Sequence, residues 1–445
     1  MSSDSIAAGL ATVALVCMCA SAGASTHIVD QSGAGDFLTV QAAVDAAANR
    51  DTIVIRAGTY SENIVCVGKC LTYIGEGSGV TTIVAAVDAP SVGIQDMPSS
   101  PGVSAFSLIS IHAHALSGMA VHWYRGRVSL RECEVLGQVK GGRSYPDSDD
   151  GTVSIFNSDV TYVEVTGGYC TSIIENSHID SAFFHGMFAF DPQSGASWCE
   201  EHWLETSSSV LAHLSLGCTA SIQSQGDAIG ALVGGTGSAC QAAESTFESI
   251  ELGSGDLQLQ TCLVSGPVDV DAFAGSPDYA SWDLIIEDTL VEGDFLVEYD
   301  VYSDNATCEV HLCHNTIIGD VFTDFDMDYW SGVYTYRVRG NIVQGYTTLD
   351  GDPDWWELIT ISHNDFVGGF TACAPPDSIY ANISEPPLFC GATAGDYSLQ
   401  DCSPCVGAAH DGGDIGAFGV GCSCNSLVEE TTWGRVKAMF RQPSN

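Results

Sequence analysis

Lysine is nearly missing from this 445-residue chain, occurring only at Lys69, Lys140 and Lys437. Counting arginine, 13 basic residues face 56 acidic ones, a formal net charge of −43. A surface so poor in cations cannot neutralise phosphates, which excludes nucleic acid and anionic membranes as expected partners. Long apolar runs are also lacking. The longest, Ala7 to Ala20, falls short of the roughly 20 residues that span a bilayer, so no transmembrane segment is expected. Neither Gly-x-Ser-x-Gly nor His-Glu-x-x-His occurs, which removes the local signatures of serine esterases and zincin proteases. The acidic stretches "DGDPD" (350–354) and "PDSDDG" (146–151) do not have the form of a helix-loop-helix calcium loop.

What is present begins with an export signal. The run from Ala7 to Ala20 and the small residues Ala22-Gly23-Ala24 read as a signal peptide over 1–24, although no Lys or Arg precedes the apolar part. The expected location is therefore secreted or cell-surface, with a monomeric mature chain. Of the eighteen cysteines, sixteen follow this segment, and an even number in an exported protein favours disulfides, including a short one between Cys66 and Cys70. A four-cysteine zinc site at Cys402, Cys405, Cys422 and Cys424 is the rival reading of the C-terminal spacing.

From about Asp51 one phrase recurs: an alternating apolar strand, a small polar residue, then a second short apolar strand. "VSLRECEVLG" (128–137), "EVHLCHNTIIGD" (309–320) and "ITISHNDFVGG" (359–369) are examples. Aligned on Cys133, Ser158, Asp288, Asn315 and Asn364, neighbouring units lie about 25 residues apart, the period of a solenoid coil. Such short strands cannot fill a broad sandwich, whereas stacked coils with alternate side chains turned inward build a continuous core. Asn or Asp at the recurring corner suits a left-handed backbone, and stacked Asn side chains can bond between coils. The fold expected is all-β, a right-handed parallel β-helix over 25–384 of about a dozen coils and roughly 60 Å. An N-terminal capping helix is expected with Val40, Ala43, Val44 and Ala47 on its buried face. A Cys/Gly-rich cap (385–424) and a short amphipathic tail (425–445) complete the chain. Residues 182–262 fit the repeat least and read as an excursion from the rod.

The opening "SGAGDFLTVQAAVDAAANRDTIVIRAGTYSENI", with its Gly58-x-Tyr60-x-Glu62 pattern, resembles the entry coil of pectinesterases and other right-handed parallel β-helix proteins. The resemblance covers about a tenth of the chain and implies the fold. It does not extend to the chemistry: Gly118 stands near the family's first glutamine, and "GQVKGG" (137–142) replaces its Gln-Asp segment. The nucleophilic Asp motif is missing too. The tail, with Ser403-Pro404-Cys405 and the run from Asp414 to Gly419, resembles the closing segment of exported bacterial β-helix proteins.

Acidic residues recur at the coil period. Asp271, Asp300, Asp326 and Asp352 are 29, 26 and 26 residues apart, so stacking is expected to align them. Alternation places Asp324, Asp326 and Asp328 on one strand face. Carboxylates 4.8 Å apart repel by roughly 0.9 kcal/mol per pair in water, a repulsion that bound calcium would convert into attraction and that hydration tolerates. Calcium is accordingly the cofactor expected, at Asp300, Asp324, Asp326, Asp328 and Asp352, with a solvated acidic face as the plainer alternative. Trp330, Trp355 and Trp356 follow the acidic runs and are candidates for stacking on sugars; Trp198 and Trp203 are further exposed-aromatic candidates. Arg337 and Arg339 share a strand face and are the candidate bases of a calcium-dependent lyase. The histidines read as scattered turn or core residues. Two functions remain: non-catalytic binding of acidic polysaccharide or cell-surface glycan, or a spacer role; and a calcium-dependent lyase or glycoside hydrolase acting on pectin-like substrates.

Overall fold

A computed structural model of the chain describes residues 24–95, 105–123, 126–142, 151–166, 170–190, 197–200, 202–217, 220–274, 281–301, 307–327, 333–350, 358–374 and 378–424. The expected signal peptide, save Ala24, and the C-terminal tail lie outside these residues.

Each strand pairs in parallel with its counterpart one coil later. Sixteen strands, from Thr26–Val29 to Ile379–Tyr380, form one sheet in sequential order. Stacked at about 4.8 Å they make a rod roughly 70 Å long. The second half of each coil forms parallel ladders facing this sheet, and the inward side chains of both meet in a continuous core from Val29 to Phe366. The chain is a right-handed parallel β-helix.

The corner between the two halves is its most regular feature. One residue at each corner sits in the left-handed region: Glu132, Asn157, Asn176, Ser208, Gly226, Glu244, Thr261, Asp288, His314, Gly340, His363 and Ala381 all have φ between 48° and 68°. From Ser158 onward the residue after it points inward and, at most corners, accepts through its side chain the backbone N–H of its counterpart one coil earlier; at the Ser110 corner that residue is Ile111, which cannot accept. Ser158 accepts from Cys133 (3.1 Å), Thr289 from Cys262 (3.2 Å) and Asn315 from Thr289 (3.0 Å). Asn341, Asn364 and Asn382 continue the column at 2.9, 2.9 and 3.0 Å. The asparagines add a second rung, because their amide groups also donate to the next Asn Oδ1 and back to a strand carbonyl. Asp288 is thus the left-handed residue and Thr289 the stacked one, a one-residue correction to the sequence alignment. The left-handed turn and the stacked amide belong to adjacent residues.

Asp227 is the acidic member of the column. Its buried carboxylate accepts from Thr206 Oγ1 (2.6 Å), Ser224 Oγ (2.7 Å) and the backbone N–H groups of Ser209 (2.7 Å) and Gln225 (3.1 Å). Burial still outweighs these donors and holds the carboxyl above its ordinary range.

The front cap forms as expected, a helix Val40–Ala46 burying Val40, Ala43 and Val44. Glu62 accepts the N–H groups of Val40 and Gln41 at 2.9 Å each, occupying two otherwise orphaned helix donors. Tyr60 is buried and donates to Arg56 O (3.0 Å). The pattern shared with pectinesterases therefore builds the entry coil and its cap.

Three expectations change. Residues 182–262 hold regular coils, shortened to 18 residues between Ser209, Asp227 and Ser245. What leaves the rod there is one antiparallel hairpin, Met187–Phe190 with Ser197–Glu200. The segment after 385 does not simply close the end of the rod. It folds back along the corner, where Ala417 N–H donates to Thr316 Oγ1 across 101 residues and Gly416 N–H donates to Gly340 O. No disulfide joins Cys66 to Cys70, which are buried thiols; the bridges found are Cys390–Cys422 and Cys402–Cys424. These bridges leave no four-cysteine zinc site, and Cys405 donates instead to Asp365 Oδ2 (3.2 Å).

Replacing Asn341 with Ala removes the acceptor for Asn315 and the donor to Leu312 O, and is expected to cost about 3 kcal/mol. Denaturant unfolding measures this, with outward-facing Gln241→Ala, expected within about 0.5 kcal/mol of the parent, as the control.

Candidate functional site

On the outer face of the sixteen-stranded sheet lies an open groove of about 690 Å³. The shortened coils make it. Strands His202–Ser207, Ala220–Gln225, Ala239–Ala243 and Leu257–Gln260 bury Leu204, Ile222, Cys240 and Leu259 and turn Glu205, Gln223, Gln241 and Gln258 toward the groove. The register stacks those outward residues in two columns. One runs Glu205, Gln223, Gln241, Gln258, Ile285. The other runs Glu175, Ser207, Gln225, Ala243, Gln260, Glu287. Among the described residues, no basic residue lines the groove. It offers stacked amides, which donate and accept, and carboxylates, which only accept.

Trp203 lies two residues before Glu205 on the same strand face and is 41% exposed, next to the groove. An indole there can stack on a sugar ring or another flat apolar face.

Both columns continue into the sequence-predicted arginines. Ile285 pairs with His311 and His311 with Arg337; Glu287 pairs with Cys313 and Cys313 with Arg339. Arg337 Nη1 donates to His311 Nε2 (2.7 Å), and Glu309 Oε1 lies 2.9 Å from that nitrogen and 3.6 Å from Arg337 Nη1. Burial, opposed by the pull of Glu309 and assisted by the smaller effect of the Arg337 charge, keeps the His311 pKa below its ordinary value.

The acidic strands occupy the other side. Asp324 turns outward from Val321–Met327, while its inward neighbour Thr323 meets Tyr336 across the core (2.9 Å). Tyr336 flanks Arg337, so the core lies between Asp324 and the arginines. Within the acidic face, Asp300 pairs with Asp326, but Asp271 pairs with Glu298 and Glu298 with Asp324. The column therefore splits, with Asp271 two residues out of the expected line. Among the described residues, this face holds no group of three ligand atoms within 4.8 Å. Asp328, Trp330, Asp352, Trp355 and Trp356 lie outside the described residues, as do the side chains of Asp300, Asp326 and Trp198.

The glutamines escaped the sequence reading although "QSQ" (223–225) and "QLQ" (258–260) flag them. Their 18-residue spacing was too short for the assumed period. No family model matches the chain, and no curated protein sequence matches it. A solved pectin methylesterase from carrot is similar in structure: 16% identity, a TM-score of 0.32, covering 57% of this chain and 84% of that one. A likeness so distant carries no argument, and the fold rests on the strand pairing itself.

Replacing Arg337 with Met removes both a repelling charge and the hydrogen bond that holds His311 neutral, so the His311 pKa is expected to rise. An NMR titration of the ring protons reads this directly, and an unchanged or lower value contradicts the described contact.

Proposed function

We propose that this chain is an exported glycan-binding β-helix whose binding surface is the glutamine-lined groove. The observation that carries this reading is the stack of Gln223, Gln241 and Gln258 in register beside exposed Trp203. A chain of hydroxyl-rich sugars, extended along the rod, meets an amide at every coil and a stacking ring at one end. The two disulfides support export.

The groove narrows the ligand class. Glu175 and Glu205 at one end and Glu287 at the other line it, and its described lining holds no basic residue, so a uronate chain would meet like charge at both ends. Neutral polysaccharide is the better fit than the acidic polymer expected from the sequence.

A second reading is hydrolysis. Glu175 pairs with Ser207, which places Glu205 diagonally opposite on the neighbouring strand, with Cα atoms roughly 8 Å apart. Two carboxylates across a glycosidic bond are the equipment of a glycosidase.

Affinity electrophoresis and calorimetry against neutral glucans, xylans and polygalacturonate test the proposal. Neutral chains are expected to bind intact, and Trp203→Ala to weaken binding about tenfold, a loss of about 1.4 kcal/mol. Preferential binding of polygalacturonate, or a Trp203→Ala variant that binds like the parent, contradicts it. New reducing ends that vanish in Glu205→Gln would move the assignment to the second reading.

A further inference from the structure

The corner opposite the C-terminal segment gathers three histidines. His314 and His363 occupy left-handed corner positions at φ 55° and 57°, and Gly340 holds the corner between them. Gly340 is required there: a Cβ would overlap the His314 ring. The segment that folds back over this ridge brings His410, whose ring stacks on that of His314 at 5.4 Å and 19° and lies 6.4 Å from that of His363. Asp411 Oδ1 comes within 3.9 Å of His314 Nε2, and Asp288 Oδ1 lies 3.9 Å from His314 Nδ1.

Two of these nitrogens lack what burial demands. His314 Nε2 and His363 Nδ1 are sealed from solvent and have no hydrogen-bond partner. Such a group normally finds a partner or binds an ion. Ligand atoms of His314, His410 and Asp411 all lie within 4.8 Å of one another. Donors around a tetrahedral zinc at 2.0–2.1 Å sit about 3.4 Å apart, so small movements of exposed His410 and Asp411 close the site.

We propose that His314, His410 and Asp411 bind a divalent first-row transition metal, zinc by preference, with His363 as a further nitrogen donor. Two imidazoles and one carboxylate suit zinc and disfavour calcium, which takes oxygen ligands. Asp288 and Asp411 offset the charge of Arg339, which acts on His410 from the same ridge. The ion clamps the folded-back C-terminal segment to the corner of the coils, joining parts of the chain about a hundred residues apart. Metal that binds the folded chain alone raises its stability. The site lies apart from the glutamine groove and does not depend on glycan binding.

The test uses the oxidised full-length protein, stripped with chelator and titrated with Zn²⁺ in equilibrium dialysis and with Co²⁺ for its visible spectrum, both under excess calcium. One equivalent is expected, with a tetrahedral cobalt spectrum and a rise in melting temperature. His410→Ala, a surface change that leaves the core intact, should lower affinity at least tenfold and remove the thermal shift; Asp411→Asn should weaken binding with the fold unchanged. Unaltered affinity in both variants, or displacement of zinc by calcium, overturns the proposal.

Discussion

A single kind of hydrogen bond, repeated at most corners from Ser158 to Asn382, organises this rod. The N–H of an inward corner residue cannot reach a backbone carbonyl in its own coil, and it is too buried to reach water. The side chain of the next coil supplies the acceptor, so each coil completes its predecessor. Ser, Thr, Asn and Asp all meet the requirement, which is why the column tolerates changes from Ser158 through Asp227 to Asn382. The hydroxyls donate back to a carbonyl two residues earlier, whereas the asparagines also donate to the next stacked Asn, and they occupy the C-terminal coils against which the folded-back segment packs.

The same constraint places the surface chemistry. With every corner fixed, strand register is fixed, and outward residues from successive coils fall into columns with no further device. Where coils shorten to 18 residues, amides and carboxylates stack into the groove. Where the left-handed position is histidine, its ring projects onto the ridge beside the C-terminal segment. The groove follows from stacking alone, whereas the histidine site also needs the folded-back segment that carries His410 and Asp411.

Much of the architecture was legible in sequence because one side of each coil must be apolar and each corner polar. That periodicity revealed the solenoid, and the entry helix followed from Val40, Ala43 and Val44. Reading failed where two signals lay one residue apart: the backbone strain belongs to Asp288 and the hydrogen bond to Thr289. It failed again where coils shortened, since an assumed 25-residue period turned four regular coils into an excursion and hid the glutamines. Cys66 and Cys70 looked paired by spacing alone, yet both are buried in the entry coils without forming a bridge. The histidines were legible in principle, as "CHN" and "SHN" both set His before the stacked Asn. Convergence with His410, however, depends on a chain reversal that no local pattern announces. Asp324 lies near Arg337 in sequence, yet alternation across the core sends it to the opposite face.

The most direct test of the corner account is amide hydrogen exchange resolved at Thr289, Asn315, Asn341 and Asn364. If each N–H is held by the side chain one coil onward, these four amides exchange as slowly as the central amides of the sixteen-stranded sheet, although they lie in turns. Exchange at the rate of exposed loop amides would show that the corners are open and that something else holds the coils in register.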